Sequence, residues 1–259
     1  MASDKDRSMI LAVKDLGFRW GRDWVFRGIS FSVNSGELLS VMGPNGVGKT
    51  TLLRCLNGIL SPSEGTITVG GRDVSSMSRR EIAKAMGYVP QFVQPQRMTV
   101  FDGVLLGRRP HIGWSVSERD LVTVESVLSL LGLSEFRLRS MDRISGGERQ
   151  KVAIARAMVQ EPSVMLLDEP TASLDMKNNM GMMETISHVV HCHGLAAVAT
   201  IHDVNCALRH SDRCLFLRGG SIEALCTPSE VTGSMIESVY DLKADIIDHR
   251  GYPVVIPGG

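Results

Sequence analysis

Eight residues, GPNGVGKT at positions 43–50, constrain this chain more than any other stretch. The spacing G-x-x-x-x-G-K-T wraps a polyphosphate when a strand enters it and a helix leaves it. ELLSVMG (37–43) is a short apolar run leading in, and residues 50–60 read as a helix closed by SPSEG. Gly43, Gly46 and Gly48 allow the tight turn that brings backbone N–H groups to an anion, and Pro44, Asn45 and Val47 complete the loop. Lys49 supplies a point charge for β/γ-phosphates, and Thr50 a hydroxyl for Mg²⁺, with Thr51 beside it in the first helical turn. The phosphates then face a helix N-terminus, where the dipole favours negative charge.

A second stretch completes the phosphate chemistry. SVMLLDE (163–169) is a buried-type strand that carries Asp168 to its C-terminal end. In open α/β sheets ligands bind at that edge. Asp168 is expected to reach Mg²⁺ there, and Glu169 to polarise an attacking water.

Strand and helix patterns alternate along the rest of the chain, which predicts an α/β fold with a mostly parallel, doubly wound sheet. GTITVGG (65–71) alternates as a strand should, and GYVP (87–90) is another short strand. Ser78 with Glu81, and Ser117 with Asp120, have capping-box spacing and predict helix starts. Helical signals dominate 90–160, with Leu121, Val124, Leu128 and Leu131 on one face of a helix that Gly132 can close. Further helices are expected over 176–193, 203–209 and about 228–240, a strand over 195–201, and a hairpin turning at Gly219–Gly220. The tail 241–259 is open between a last strand and a regulatory contact.

Charge and cysteine content narrow the classes. The chain has 28 Lys+Arg and 28 Asp+Glu, so no net charge draws it to nucleic acid. No run approaches the roughly 20 apolar residues of a membrane helix, and MASDKDRSMILAV is too short in its apolar part for a secretory signal. A soluble cytoplasmic chain is the expectation. Cys55, Cys192, Cys206, Cys214 and Cys226 form no CxxC pair and read as small buried hydrophobes. His188, His191, Cys192 and His193 could bind metal, but a polar helix end before Gly194 explains them more simply.

Between the two phosphate motifs lies ISGGERQ (144–150). Together with GPNGVGKT, VPQ (89–91), LLDEPTASLD (166–175) and TIHD (200–203), it resembles the nucleotide-binding subunit of ATP-binding cassette (ABC) transporters over roughly residues 9–225. The resemblance implies a P-loop NTPase core with an N-terminal antiparallel β portion and an inserted helical subdomain. The implied boundaries are a core at about 9–89 and 162–225, the subdomain at about 90–161, and an extension at about 226–259. It implies ATP hydrolysis with Mg²⁺. Gln91 resembles the loop glutamine that contacts Mg²⁺ or the attacking water. Ser145, Gly146 and Gly147 look like the signature loop, which faces the γ-phosphate held by a second copy in a head-to-tail dimer. Glu169 resembles the general base, Asp175 the loop aspartate at the dimer interface, and His202 the switch histidine on the γ-phosphate. Trp20 sits where the family stacks an aromatic on adenine; a partly exposed core aromatic is the lesser alternative. Ile144 and Glu148 stand where many members have Leu and Gln.

The same resemblance implies work for a separate integral-membrane permease, on the inner face of the cell membrane, with a substrate-binding protein engaged indirectly. A soluble ABC ATPase acting on DNA or ribosomes is the alternative. It is disfavoured by the single cassette, the lack of sustained heptads and the zero net charge. MTVFDGVLLGRRPHIGWSVSERD (98–120), LDMKNN and IHDVNCALRHSDR resemble importers of metal chelates: iron-siderophore, haem and vitamin B12 systems. RRPHIGW is then expected to lie with Gln91 near the permease contact. Cys226 replaces a turn glycine usual in that group, which leaves the local backbone open.

Overall fold

The computed structural model describes residues 8–172 and 174–258. The charged start of the chain and Ser173 of the LLDEPTASLD motif lie outside them.

Two long strands, β1 (Met9–Trp20) and β2 (Asp23–Asn34), form an antiparallel hairpin, and β4 (Glu64–Val69) and β5 (Arg72–Asp73) extend it in the order β2-β1-β4-β5. Trp20 pairs with Asp23 across the two-residue turn Gly21–Arg22, so the hairpin tip holds this aromatic out from the sheet. The central sheet contains β3 (Glu37–Met42), β6 (Met86–Val89), β7 (Val164–Asp168), β8 (Ala196–Thr200), β9 (Arg213–Arg218) and β10 (Ser221–Cys226). Its order is β10-β9-β3-β8-β7-β6, parallel except for the edge strand β10. Every residue of β3, β7 and β8 is buried, as strands covered on both faces require.

Helix α1 (Lys49–Leu56) stops four residues short of the predicted 50–60, because Gly58 adopts a left-handed φ of 64°. Helix α2 (Arg79–Ala85) starts on the predicted Ser78–Glu81 capping box. Between β6 and β7 the chain inserts α3 (Val100–Leu105), α4 (Glu118–Leu130) and α5 (Gly146–Met158). In α4, Val124, Leu128 and Leu131 face the core as the periodicity predicts, but Leu121 is 41% exposed. It lies one turn from the N-terminus, where the capping box occupies the inward side: buried Asp120 accepts from Ser117 and pairs with Arg108 at 2.8 Å. Arg108, also buried, donates further to Val159 O and to Glu161. These bonds satisfy the buried guanidinium and pin the segment 109–114 that follows it. Arg80 adds bonds to Pro110 O and Ile112 O.

The long helix α6 (Met176–His193) ends at a left-handed Gly194, and α7 (Val204–His210) follows β8. The helix predicted over 228–240 is instead two pieces. A 3-10 turn, Pro228–Glu230, is separated from α8 (Gly233–Tyr240) by extended Val231 and by Thr232, which caps the second piece. The tail forms a hairpin of β11 (Ala244–His249) and β12 (Tyr252–Pro257). Cys226 is an ordinary strand residue opposite Cys214, so no glycine-type backbone is needed there. Cys55 and Cys214 are buried and Cys206 and Cys226 half-buried; Cys192 is exposed, contrary to the hydrophobe reading, because it lies on the outer face of α6. No helix among the described residues is long and apolar enough to cross a membrane.

Candidate functional site

The C-terminal ends of the parallel strands bring the site together. The phosphate loop leaves β3, Gln91 follows β6, Asp168 and Glu169 close β7, and Thr200 and His202 close β8. In the loop, Gly48 has φ 107°, and a Cβ there would lie 2.8 Å from Val25 Cγ1, so only glycine fits. No acidic residue stands in the first turn of α1, which leaves its N-terminal dipole for an external anion. Lys49 is buried, and its Nζ donates to Gly43 O at 2.7 Å and Pro44 O at 3.1 Å. Burial pulls its ammonium below the ordinary lysine range, against the raising effect of Glu169 and Asp168.

Thr50 Oγ1 donates to Asp168 Oδ1 at 2.9 Å. Two residues that the motifs did not single out hold the same carboxylate: Thr200 Oγ1 donates to Oδ1 at 3.0 Å and the Tyr88 phenol to Oδ2 at 3.2 Å. Thr200 also accepts the Glu169 N–H at 2.9 Å, so one hydroxyl orients both acidic residues. Its place in TIHD was the available signal; Tyr88, inside GYVP, carried none. Hard oxygen donors converging beside the phosphate loop fit Mg²⁺, which Thr50 and Asp168 would hold together with phosphate oxygens.

Glu169 is the hub. Its backbone is left-handed at φ 47°, a conformation that costs a non-glycine residue energy and recurs where function demands it. Gln91 Nε2 donates to one carboxylate oxygen, and His202 Nε2 pairs with the other. Trp20, the hairpin tip, joins Asn45, Gly48, Lys49 and Glu169 around a cavity of about 320 Å³. It is 58% exposed and stands edge-on to buried Phe18 at 4.9 Å.

Two of the expected elements point elsewhere. Ser145 caps α5 in a capping box with Glu148, the residue that departs from the usual Gln, and both Ser145 and Gly146 are exposed. Asp175 caps α6 and is exposed. Neither takes part in the cluster around Glu169 within one chain. Among the described residues no group of three or more His, Cys, Asp or Glu is placed to hold a metal ion; His191 instead pairs with Asp212 at 3.1 Å.

A phosphate loop, a strand carboxylate and a held glutamate define a nucleoside-triphosphate hydrolase site. The ABC transporter family profile matches residues 26–172, and an uncharacterized ABC transporter ATP-binding protein of Methanocaldococcus jannaschii is 45% identical over 97% of this chain and 99% of its own. The chain belongs to the ABC transporter family and is an ATP-binding, ATP-hydrolysing subunit. It is 33% identical to the ferric enterobactin transport ATP-binding protein FepC of Escherichia coli (95% of this chain, 93% of that one). It is 36% identical to a phosphonates import ATP-binding protein PhnC of Alcaligenes faecalis (77% and 76%). Among solved structures, a chain of an ABC transporter described as metal-chelate type, captured inward-facing, superposes with TM-score 0.85 at 28% identity, covering 97% of this chain and 98% of that one. A dimeric cassette bound to ADP and Pi gives TM-score 0.74 at 26% identity (85% and 99%).

Proposed function

We propose that this chain powers an importer of metal chelates, such as iron-siderophore, haem or cobalamin, through a separate membrane permease. The observation that carries this reading is the likeness to the metal-chelate type chain over 97% of this chain and 98% of that one. FepC is a relative of the same kind. The working units are a core (about 9–89 and 162–225), a helical subdomain (about 90–161) and an extension (about 226–259). The permease meets the subdomain at RRPHIGW and near Gln91: Trp114 is fully exposed and Phe92, next to Gln91, is 69% exposed. A substrate-binding protein delivers the chelate to the permease.

In the catalytic cycle Lys49 and the loop amides bind the β/γ-phosphates, and Trp20 stacks on the base. Mg²⁺, held by Thr50 and Asp168, would neutralise charge on the transferring phosphoryl group. Gln91 and His202 leave the Glu169 oxygens as nucleotide enters. Glu169 then takes a proton from water as the water oxygen attacks the γ-phosphorus and the bond to the β,γ-bridging oxygen breaks, giving ADP and phosphate, while His202 contacts the γ-phosphate. Ser145, Gly146 and Gly147 of a second copy close the site, with Asp175 at the interface; the ADP- and Pi-bound dimer of a relative supports that assembly.

Co-purification from membranes, followed by ATPase assays in proteoliposomes, tests the transport reading. Stimulation by a chelate-loaded binding protein is expected; stimulation by phosphonate instead would overturn it. Replacing Trp20 with Ala should weaken ATP by about 1–3 kcal/mol, the usual worth of base–aromatic stacking, and weaken GTP equally. Calorimetric affinities that do not move would refute the stacking role.

A further inference from the structure

The C-terminal hairpin is tied to the catalytic half of the chain at one point on α7. The Asn205 side chain donates from Nδ2 to Val255 O at 3.1 Å and accepts the Val255 N–H at Oδ1, at 2.7 Å. Its amide therefore acts as a one-residue strand partner for β12. The sequence explains why this residue is the one held. Pro253, Val255 and Pro257 lie two apart, so their backbone groups face the same side of β12, away from β11. The two prolines have no N–H, which leaves Val255 as the donor of that edge among the three, and Asn205 satisfies it. Val255 itself is buried in the main core.

Helix α7 has seven residues, too few to persist without packing, and is capped by Asp203, directly after His202. Arg209, one turn after Asn205, lies over the Tyr252 ring at 5.4 Å, a second contact from α7 to the same strand. At the other end of the extension Tyr240 is packed on the core.

We propose that the extension α8–β11–β12 is a strut for the nucleotide site, in which Asn205 is a positioning residue that fixes α7, and with it His202, through Val255. The proposal rests on the role given above to His202. It assigns the tail a task in turnover: without the Asn205–Val255 clasp, α7 frays and His202 no longer meets the γ-phosphate, while the phosphate loop still binds ATP.

The test is a double-mutant cycle in the full-length chain with Asn205→Ala, which removes both bonds, and Val255→Pro, which removes the Val255 N–H and keeps its carbonyl. Each should lower kcat about tenfold with KM for ATP unchanged, and the double variant should fall no further than either single. Thermal melts identify unfolded variants, and Asn205→Asp, which keeps the acceptor for the Val255 N–H, should retain more activity than Asn205→Ala. Unchanged kcat in folded single variants, or strictly additive losses, would overturn the proposal. His202→Ala run in parallel separates the two readings. If it loses turnover while the clasp variants do not, the strut fails alone; if it too is fully active, the role of His202 fails first.

Discussion

Glu169→Gln should bind ATP and hardly turn it over, with kcat falling by roughly 10²–10⁴, the span over which a positioned general base works. The substitution keeps the size of the side chain and removes the charge and the basic oxygen. Gln91 and His202 hold different oxygens of Glu169, so in the variant one of them keeps an amide oxygen and the other faces the amide NH₂. The left-handed backbone at 169 is set by the strand end and by the Thr200 bond to its N–H, neither of which needs the carboxylate. The loss therefore falls on chemistry and leaves binding intact. Single-turnover assays with radiolabelled ATP measure it directly. A variant with near-native hydrolysis would move the base elsewhere.

Lys49→Ala should fail at the earlier step. Its ammonium is buried and pulled below the ordinary lysine range by that burial, with two carboxylates only partly compensating. A triphosphate brings strong negative charge to this spot and favours the charged amine, so much of the binding energy is concentrated here. Removing one charge-assisted contact costs about 3 kcal/mol, or roughly a hundredfold in affinity. The variant also leaves the carbonyls of Gly43 and Pro44 without their donor, so a melting curve must accompany the calorimetry. Native affinity in a folded variant would contradict the phosphate assignment.

The contrast between these two residues and Thr200 shows what a linear reading can reach. Lys49 and Glu169 lie in motifs whose chemistry depends on neighbours in the chain, so spacing alone identifies them. Thr200 and Tyr88 act on Asp168 from strands on either side of β7, 32 and 80 residues away in the chain. Only the parallel register, Asp168 beside Thr200, brings them there. The Gln91–Glu169–His202 cluster is of the same kind: resemblance named its members, and the sheet shows that one carboxylate holds both partners. Helix ends were less legible. The predicted 228–240 helix broke because a polar cap, Thr232, and an extended Val231 outcompeted helix propensity once Val231 was buried. The tail was opaque because its order comes from an asparagine on a distant helix and two prolines, not from hydrophobic periodicity.

The account turns on one geometric claim: each ATP site is half built in one chain and is completed by Ser145–Gly147 of another. Sedimentation of Glu169→Gln with Mg²⁺ and ATP, alone and combined with Ser145→Arg, addresses it most directly. The single variant is expected to run as a dimer of the 28.2 kDa chain, and the combined variant as a monomer that still binds ATP. A combined variant that dimerises as well as Glu169→Gln, or a Glu169→Gln chain that stays monomeric at saturating ATP, would contradict the shared site.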